Sequence, residues 1–355
     1  MRNYSEMRSR MRHNKFSVRT KDITLVLLLV ILLFMIVGGC GLFGDIEDET
    51  YISEDENLIV VGISQLGSES GWRTANTESV QRVFTKDNGY FMIYNNARQK
   101  QENQFKAIRS FISRRVDYIV FAPVVESGWE TVLMEAKEAG IPVILMDRSI
   151  DVADKSLYTT LVGSNSMEEG EKAGRWLEAD LEKKGLSEET VNIVILKGTQ
   201  GASAQAGRSV GFSAIAGKHA NWNILGQEYA DFTSAKGKEV MESFLRKYPD
   251  IDVVVSQNDD MTFGAIEAIR ESGRTVGING DITIISFDAV REALEMVAAG
   301  TINVDIECNP NQGEYLSDVI QRLENGEEVE KEYYVEEDVF TIENVTEELL
   351  EERTY

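Results

Sequence analysis

Leu58-Ile59-Val60-Val61-Gly62-Ile63-Ser64-Gln65-Leu66-Gly67-Ser68-Glu69-Ser70-Gly71-Trp72-Arg73 holds the pattern on which the rest of the chain is built. Six apolar, mostly β-branched residues give way abruptly to small, charged and aromatic ones. A run of this kind reads as a short strand buried on both faces, with a polar loop at its carboxyl end. Similar runs follow at residues 90–94, 118–121 and 143–146, and then at 192–196, 223–225, 253–255 and 283–287. Their starts lie about 25 to 32 residues apart within each group, which accommodates one strand, one helix and two loops per unit. The segments between them, such as 101–114 and 167–184, keep apolar residues at helical spacing.

The expected fold class is therefore α/β, with two doubly wound parallel sheets. The interval between residues 146 and 192 is too long for one unit. It holds a short apolar pair at 161–162 and is expected to carry the crossover from the first lobe to the second. Open parallel sheets bind ligands beyond the carboxyl ends of their strands, so chemistry is expected just after each run. Those positions supply Glu69, Trp72 and Arg73 after the first, and Asp147 with Arg148 after the fourth. The second group adds Arg208, Phe232, Asn258 and Asp288. Arginine forks and carboxylates hydrogen-bond adjacent hydroxyls, and aromatic faces pack on sugar C–H bonds. The inventory points to a carbohydrate.

Other roles for these residues stay open at this level. Asp231 and Asp260 could cap the helices that follow them. Arg148 could simply pair with Asp147, because strand neighbours point to opposite faces and reach one cleft together only if the backbone leaves the pleat. Trp72 lies in a glycine-flanked loop, which suits ligand stacking better than core packing. Trp129 and Trp176, in helical patterns, suit the core. A pair of cleft carboxylates could also serve a glycosidase.

Charge and composition close off several other classes. The 355 residues carry 36 Lys+Arg against 60 Asp+Glu, a formal charge of -24 that disfavours nucleic acid as a partner. Residues 1–39 run against this with a net of +5: a basic stretch, an apolar run at 23–37, then Gly38-Gly39-Cys40. That order is an export signal, and the small residues before Cys40 look like a bacterial lipobox with Cys40 as the acylated residue. The competing reading is an uncleaved anchor, since residues 23–44 hold no charge and about 20 apolar residues span a bilayer. Residues 40–57 form an acidic tether. Gly39-x-Gly41-x-x-Gly44 lacks the strand and helix that a dinucleotide motif needs, and the glycine-rich segment at 201–209 is one residue too long for a phosphate loop. Beyond the signal the only histidine is His219, expected at the surface, and the only thiol left after Cys40 is Cys308. No metal, cofactor or internal disulfide is expected.

From residue 58 to its C-terminus the chain resembles the periplasmic sugar-binding proteins of ABC transporters in the ribose-binding class, and most closely their galactofuranose-binding branch. The resemblance rests on Ser64 to Arg73, Lys100-Gln-Glu-Asn-Gln104, Ala122-Pro-Val-Val125 with Gly128-Trp-Glu130, Asp147-Arg-Ser-Ile-Asp-Val152, Asp231-Phe-Thr233 and Asn258-Asp-Asp-Met261. It implies a type I periplasmic binding protein fold with a three-segment hinge, whose lobes comprise residues 58–162 plus 308–335 and 163–307 plus 336–355. Arg148, Arg208, Asn258 and Asp288 fall on family positions that bond sugar hydroxyls, and Phe232 on a stacking position. Glu307 matches a polar contact at a hinge crossover. Ala289 stands where the family usually has glycine. The implied protein is no enzyme but a monomeric carrier outside the cytoplasmic membrane, whose partners are a monosaccharide, an ABC permease and the membrane that holds its lipid. A sensor subunit is the alternative role.

Overall fold

The computed structural model describes residues 58–355; the export signal, Cys40 and the acidic tether lie outside them. The first part of the chain alternates strand and helix: β1 (Ile59–Gln65), α1 (Gly71–Val83), β2 (Tyr90–Asn96), α2 (Gln101–Arg114), β3 (Tyr118–Phe121), α3 (Glu130–Glu138), β4 (Val143–Asp147) and β5 (Thr160–Gly163). The pattern then repeats with α4 (Ser166–Lys184), β6 (Val191–Lys197), α5 (Ser203–Ala216), β7 (Trp222–Tyr229), α6 (Ser234–Lys247), β8 (Val253–Ser256), α7 (Asp259–Glu271), β9 (Thr283–Asp288), α8 (Arg291–Ala298) and β10 (Val304–Glu307). Helix α9 (Gly313–Glu324), β11 (Glu332–Tyr334), β12 (Val339–Phe340) and α10 (Glu347–Glu352) complete it.

Two six-stranded sheets result, in the orders β11-β5-β4-β3-β1-β2 and β12-β10-β9-β8-β6-β7. All pairings are parallel except β10 with β12, which closes an edge antiparallel. The chain passes between the sheets three times, after β5, after β10 and between β11 and β12. The last three strands were not expected from the apolar pattern. They are two to four residues long and carry Asp305, Glu307 and Glu332, too few apolar positions to register as a run.

Both faces of each sheet are covered, which is why these strands are apolar throughout rather than alternating. In the first lobe α2 and α3 bury Ile108, Phe111, Trp129 and Leu133 on one face, and α1 with α9 bury Val80, Leu316 and Ile320 on the other. Gly62 in β1 lets the Phe111 ring press against the strand, since a Cβ there would lie 2.5 Å from that ring. The second lobe packs Leu177 and Phe212 of α4 and α5 on one face, and Met241, Phe244 and Ala265 of α6 and α7 on the other. Its helix pairs approach closely because glycines face the backbone of the partner helix. A Cβ on Gly170 would lie 2.3 Å from Arg208 O, one on Gly211 2.0 Å from Met167 O, and one on Gly264 2.1 Å from Ser234 O. His219 is less exposed than expected, with its ring stacked 4.3 Å from that of Trp222. Among the described residues no helix is long and apolar enough to cross a membrane.

Candidate functional site

The carboxyl ends of the two sheets face each other across a small cavity. The sequence-predicted residues Glu69, Trp72, Arg73, Asp147 and Arg148 line it from the first lobe, and Arg208, Phe232, Asn258 and Asp288 from the second. Glu307 is not brought there. It accepts hydrogen bonds from Arg353 Nη1 at 2.6 Å, Tyr355 Oη at 2.8 Å and Asp338 N at 2.9 Å, so it ties the C-terminal segment to the crossover after β10.

Local backbone geometry aims these side chains. Asp147 has φ 65° and Arg148 N donates to Met146 O at 2.6 Å, a three-residue turn that takes the chain out of the pleat. Both residues can therefore face the cleft, and they also pair: Arg148 Nε lies 3.6 Å from Asp147 Oδ2. That separation is too long for a hydrogen bond, and Arg148 Nε is a buried donor without a partner. Burial, followed by repulsion from Arg73, holds the Arg148 pKa below its ordinary value. Glu69 Oε2 is likewise buried and unpartnered.

Trp72 and Arg73 sit in the first turn of α1 rather than in a loop. Ser70 caps that helix by accepting from Arg73 N at 3.0 Å. Arg73 donates to Glu69 at 3.1 Å, to Gln65 at 3.3 Å and to Asp147 at 2.5 Å. Burial would lower its pKa, but the two carboxylates outweigh it and the guanidinium is held charged. Trp72 is 4% exposed, packs with the second lobe's core and donates from Nε1 to Cys308 O at 2.5 Å. The indole thus serves the cavity wall and lobe contact together. Trp72→Ala is expected to cost about 1 to 2 kcal/mol of ligand affinity by calorimetry, with Trp72→Phe recovering the stacking share.

In the second lobe Arg208 is fixed at three points. It donates from Nε to Glu169 Oε2 at 2.6 Å, from Nη2 to Asp288 Oδ1 at 3.3 Å, and from Nη1 to Gln257 O. Burial pushes the Asp288 carboxyl well up, and Arg208 only partly offsets this. Asp231 and Phe232 adopt φ 54° and 58°, which lays the Phe232 ring over Gly198, where a Cβ would lie 1.9 Å from Cζ. Across the cleft that ring lies 5.4 Å from the Arg148 guanidinium carbon. Asn258 is the residue that caps α7, accepting from Met261 N at 3.0 Å. Asp260, a cap candidate in the sequence, instead accepts from Gly71 N across the lobes at 3.2 Å.

Sequence reading missed Glu169 and Gln257, which hold Arg208, and missed that Cys308 lines the cavity. Glu169, Cys308 and Glu337 each bring one possible metal-ligand atom within 4.8 Å of the others. Arg208, bonded to Glu169, already places a positive charge there. The three crossovers meet at Glu337, which accepts from Ser164 Oγ and from Asn309 N at 3.0 Å. Burial and then Glu169 push its carboxyl up, and burial also pushes the Cys308 thiol up.

Residues 61–328 match the periplasmic binding protein domain family. The chain is 43% identical over 267 residues to the galactofuranose-binding protein of Escherichia coli strain K12, covering 74% of this chain and 81% of that protein. A Mycobacterium smegmatis structure in complex with β-D-fucofuranose superposes with a TM-score of 0.77 at 41% identity, over 81% of this chain and 92% of that one. The periplasmic binding component of the arabinose ABC transporter of Shewanella sp. ANA-3, bound to L-arabinofuranose, gives 0.77 at 42%, over 83% and 95%. With two parallel-sheet lobes and a polar cavity between them, the chain belongs to the periplasmic binding protein family, among its sugar-binding members.

Proposed function

We propose that this protein is a lipid-anchored carrier that closes its two lobes on one monosaccharide in furanose form and delivers it to an ABC permease. The observation that carries this reading is the lining of the cavity: two arginines and two carboxylates from the first lobe, one of each from the second, Asn258, and the Phe232 and Trp72 rings. Neither lobe alone surrounds a sugar, so a ligand that bridges both favours the closed arrangement. Direct lobe contacts already define that arrangement, among them Glu126 N to Gly201 O at 3.0 Å and Ser149 N to Ser203 Oγ at 2.9 Å. Each cavity carboxylate engages an arginine, which suits fixed recognition of hydroxyls better than proton transfer to a leaving group. The relatives named for galactofuranose, fucofuranose and arabinofuranose support the furanose class.

Mass spectrometry of any small molecule retained by the purified protein, followed by calorimetry with that molecule, tests the reading. A retained pentose or hexose that rebinds in one-to-one stoichiometry is the expected result. Silence towards pentoses and hexoses would overturn it, and turnover of a glycoside would replace it with hydrolysis. For the anchor, Cys40→Ser is expected to accumulate as precursor while the wild type gains lipid mass at a new N-terminus. Equal processing of both would remove the lipid from the proposal.

A further inference from the structure

We propose that Asp259 and Asp305, neither of which reaches the cavity, are positioning residues for sugar binding: joined by one shared proton, they clamp the turn that aims Asp288. This rests on the sugar-binding reading above. Asp259 opens α7 directly after the Asn258 cap, Asp305 lies in β10 beside β9, and both are fully buried. Between them they hold the backbone that follows β9. Ala289 N donates to Asp305 Oδ1 at 3.1 Å and Val290 N to Asp259 Oδ2 at 2.9 Å. Ser286 Oγ donates to Asp259 Oδ1 at 2.5 Å from the preceding stretch of β9. The segment needs holding, because Asp288 and Ala289 have φ 114° and 59°, two successive left-handed conformations without glycine.

The proton is inferred from the bonding. No N–H or hydroxyl donates to Asp305 Oδ2, although that oxygen is buried, and the Asp259 carboxyl holds the very next amide of the same turn. Two carboxylates held on consecutive amides out of water are driven against both being ionised, so the pair keeps one proton and titrates as a unit. Burial pushes both carboxyls up; Asp305 repels Asp259, and Asp288 repels Asp305. Opposing this are the Ala289 and Val290 amides, the Ser286 hydroxyl, and Arg353 from the C-terminal segment. Asp288 itself is bonded to Arg208 and also feels the charges of Asp259, Glu169 and Asp260. Because the shared proton is held above the ordinary carboxylate value, its contribution is complete at acid pH and is lost as pH rises through the raised value. Above that, a second buried charge drives the two carboxyls apart and releases the turn, and Asp288 loses its place beside Arg208.

Asp305→Asn separates this from a merely structural role. The amide Oδ1 still accepts from Ala289 N and Nδ2 donates to Asp259, which reproduces the protonated pair at every pH. Calorimetry with D-galactose and L-arabinose, each of which includes furanose forms in solution, is expected to show wild-type affinity falling about tenfold relative to Asp305→Asn between about pH 6 and about pH 9. Hydrogen exchange at Ala289 and Val290, read without sugar, should speed up over the same range in the wild type beyond the intrinsic pH effect, and not in the variant. Any slope common to both proteins belongs to groups other than this pair, Asp288 and Glu337 among them. If wild type and Asp305→Asn follow parallel pH profiles in both measurements, the clamp is rejected. If neither sugar binds at any pH, the sugar reading for these ligands fails, and the exchange data still decide the clamp.

Discussion

Arg208→Ala is expected to abolish measurable sugar binding and to destabilise the second lobe by about 3 to 5 kcal/mol, the usual cost of removing one partner from a buried ion pair. The guanidinium is 3% exposed and is the cation between Glu169 and Asp288, which are themselves buried. Without it Glu169 has neither oxygen bonded, since its Oε1 has no partner even now. Asp288 loses the charge that offsets its burial and is driven further towards the protonated form. For the ligand, losing a charged contact to buried hydroxyls is worth about 2 to 5 kcal/mol, at least roughly thirtyfold in affinity. Arg208→Lys restores the charge but not the fork that reaches Glu169 and Asp288 together, and should recover stability more than binding. Urea unfolding and calorimetry on the two variants read these effects separately. Wild-type affinity in Arg208→Ala would place the site elsewhere.

Gly211→Ala sets two opposed effects against each other. Helix propensity favours alanine by about 1 kcal/mol. The added carbon would stand 2.0 Å from Met167 O, a backbone atom of the neighbouring helix that has no rotamer to change. The helices must therefore separate, at a typical overpacking cost of about 1 to 3 kcal/mol and more where backbone is involved. We expect net destabilisation of about 2 kcal/mol or more, read as a lower urea midpoint at unchanged slope. Separation here also moves Glu169 away from Arg208, because Gly170 and Gly211 sit in the same contact between α4 and α5, so affinity should fall in parallel. Gly264→Ala tests the corresponding contact between α6 and α7, where the new Cβ would meet Ser234 O at 2.1 Å. A gain in stability in both variants would show that these helix pairs have room to spare.

How far the chain could be read without coordinates follows from the range of the forces involved. Strands β1 to β9 were legible because burial on both faces requires unbroken apolar runs, and that requirement is local. Placing ligand groups after those strands was legible too, because parallel sheets open at their carboxyl ends and nowhere else. Strands β10 to β12 were not, since a short segment bearing Asp305 or Glu307 becomes a strand only when a neighbouring edge pairs with it. The pairs Gly170-x3-Gly174 and Gly207-x3-Gly211 were a visible signal for the close crossing of α4 and α5, but spacing does not say which helix each pair meets.

Residue chemistry shows the same division. That Arg148, Arg208, Asn258 and Asp288 are polar groups at strand ends is written in the chain. That Asp147 leaves the pleat so that Arg148 can turn inward, that Glu307 binds Arg353 instead of lining the cavity, and that Trp72 reaches Cys308 from a helix depend on contacts 46 to 236 residues apart in sequence or on backbone angles those contacts enforce. Composition and order therefore determined the α/β class, the two lobes' repeating units and the polar character of the site. Only the tertiary structure decided which charges pair, because the partner of a buried charge is chosen by the fold that removes both from water.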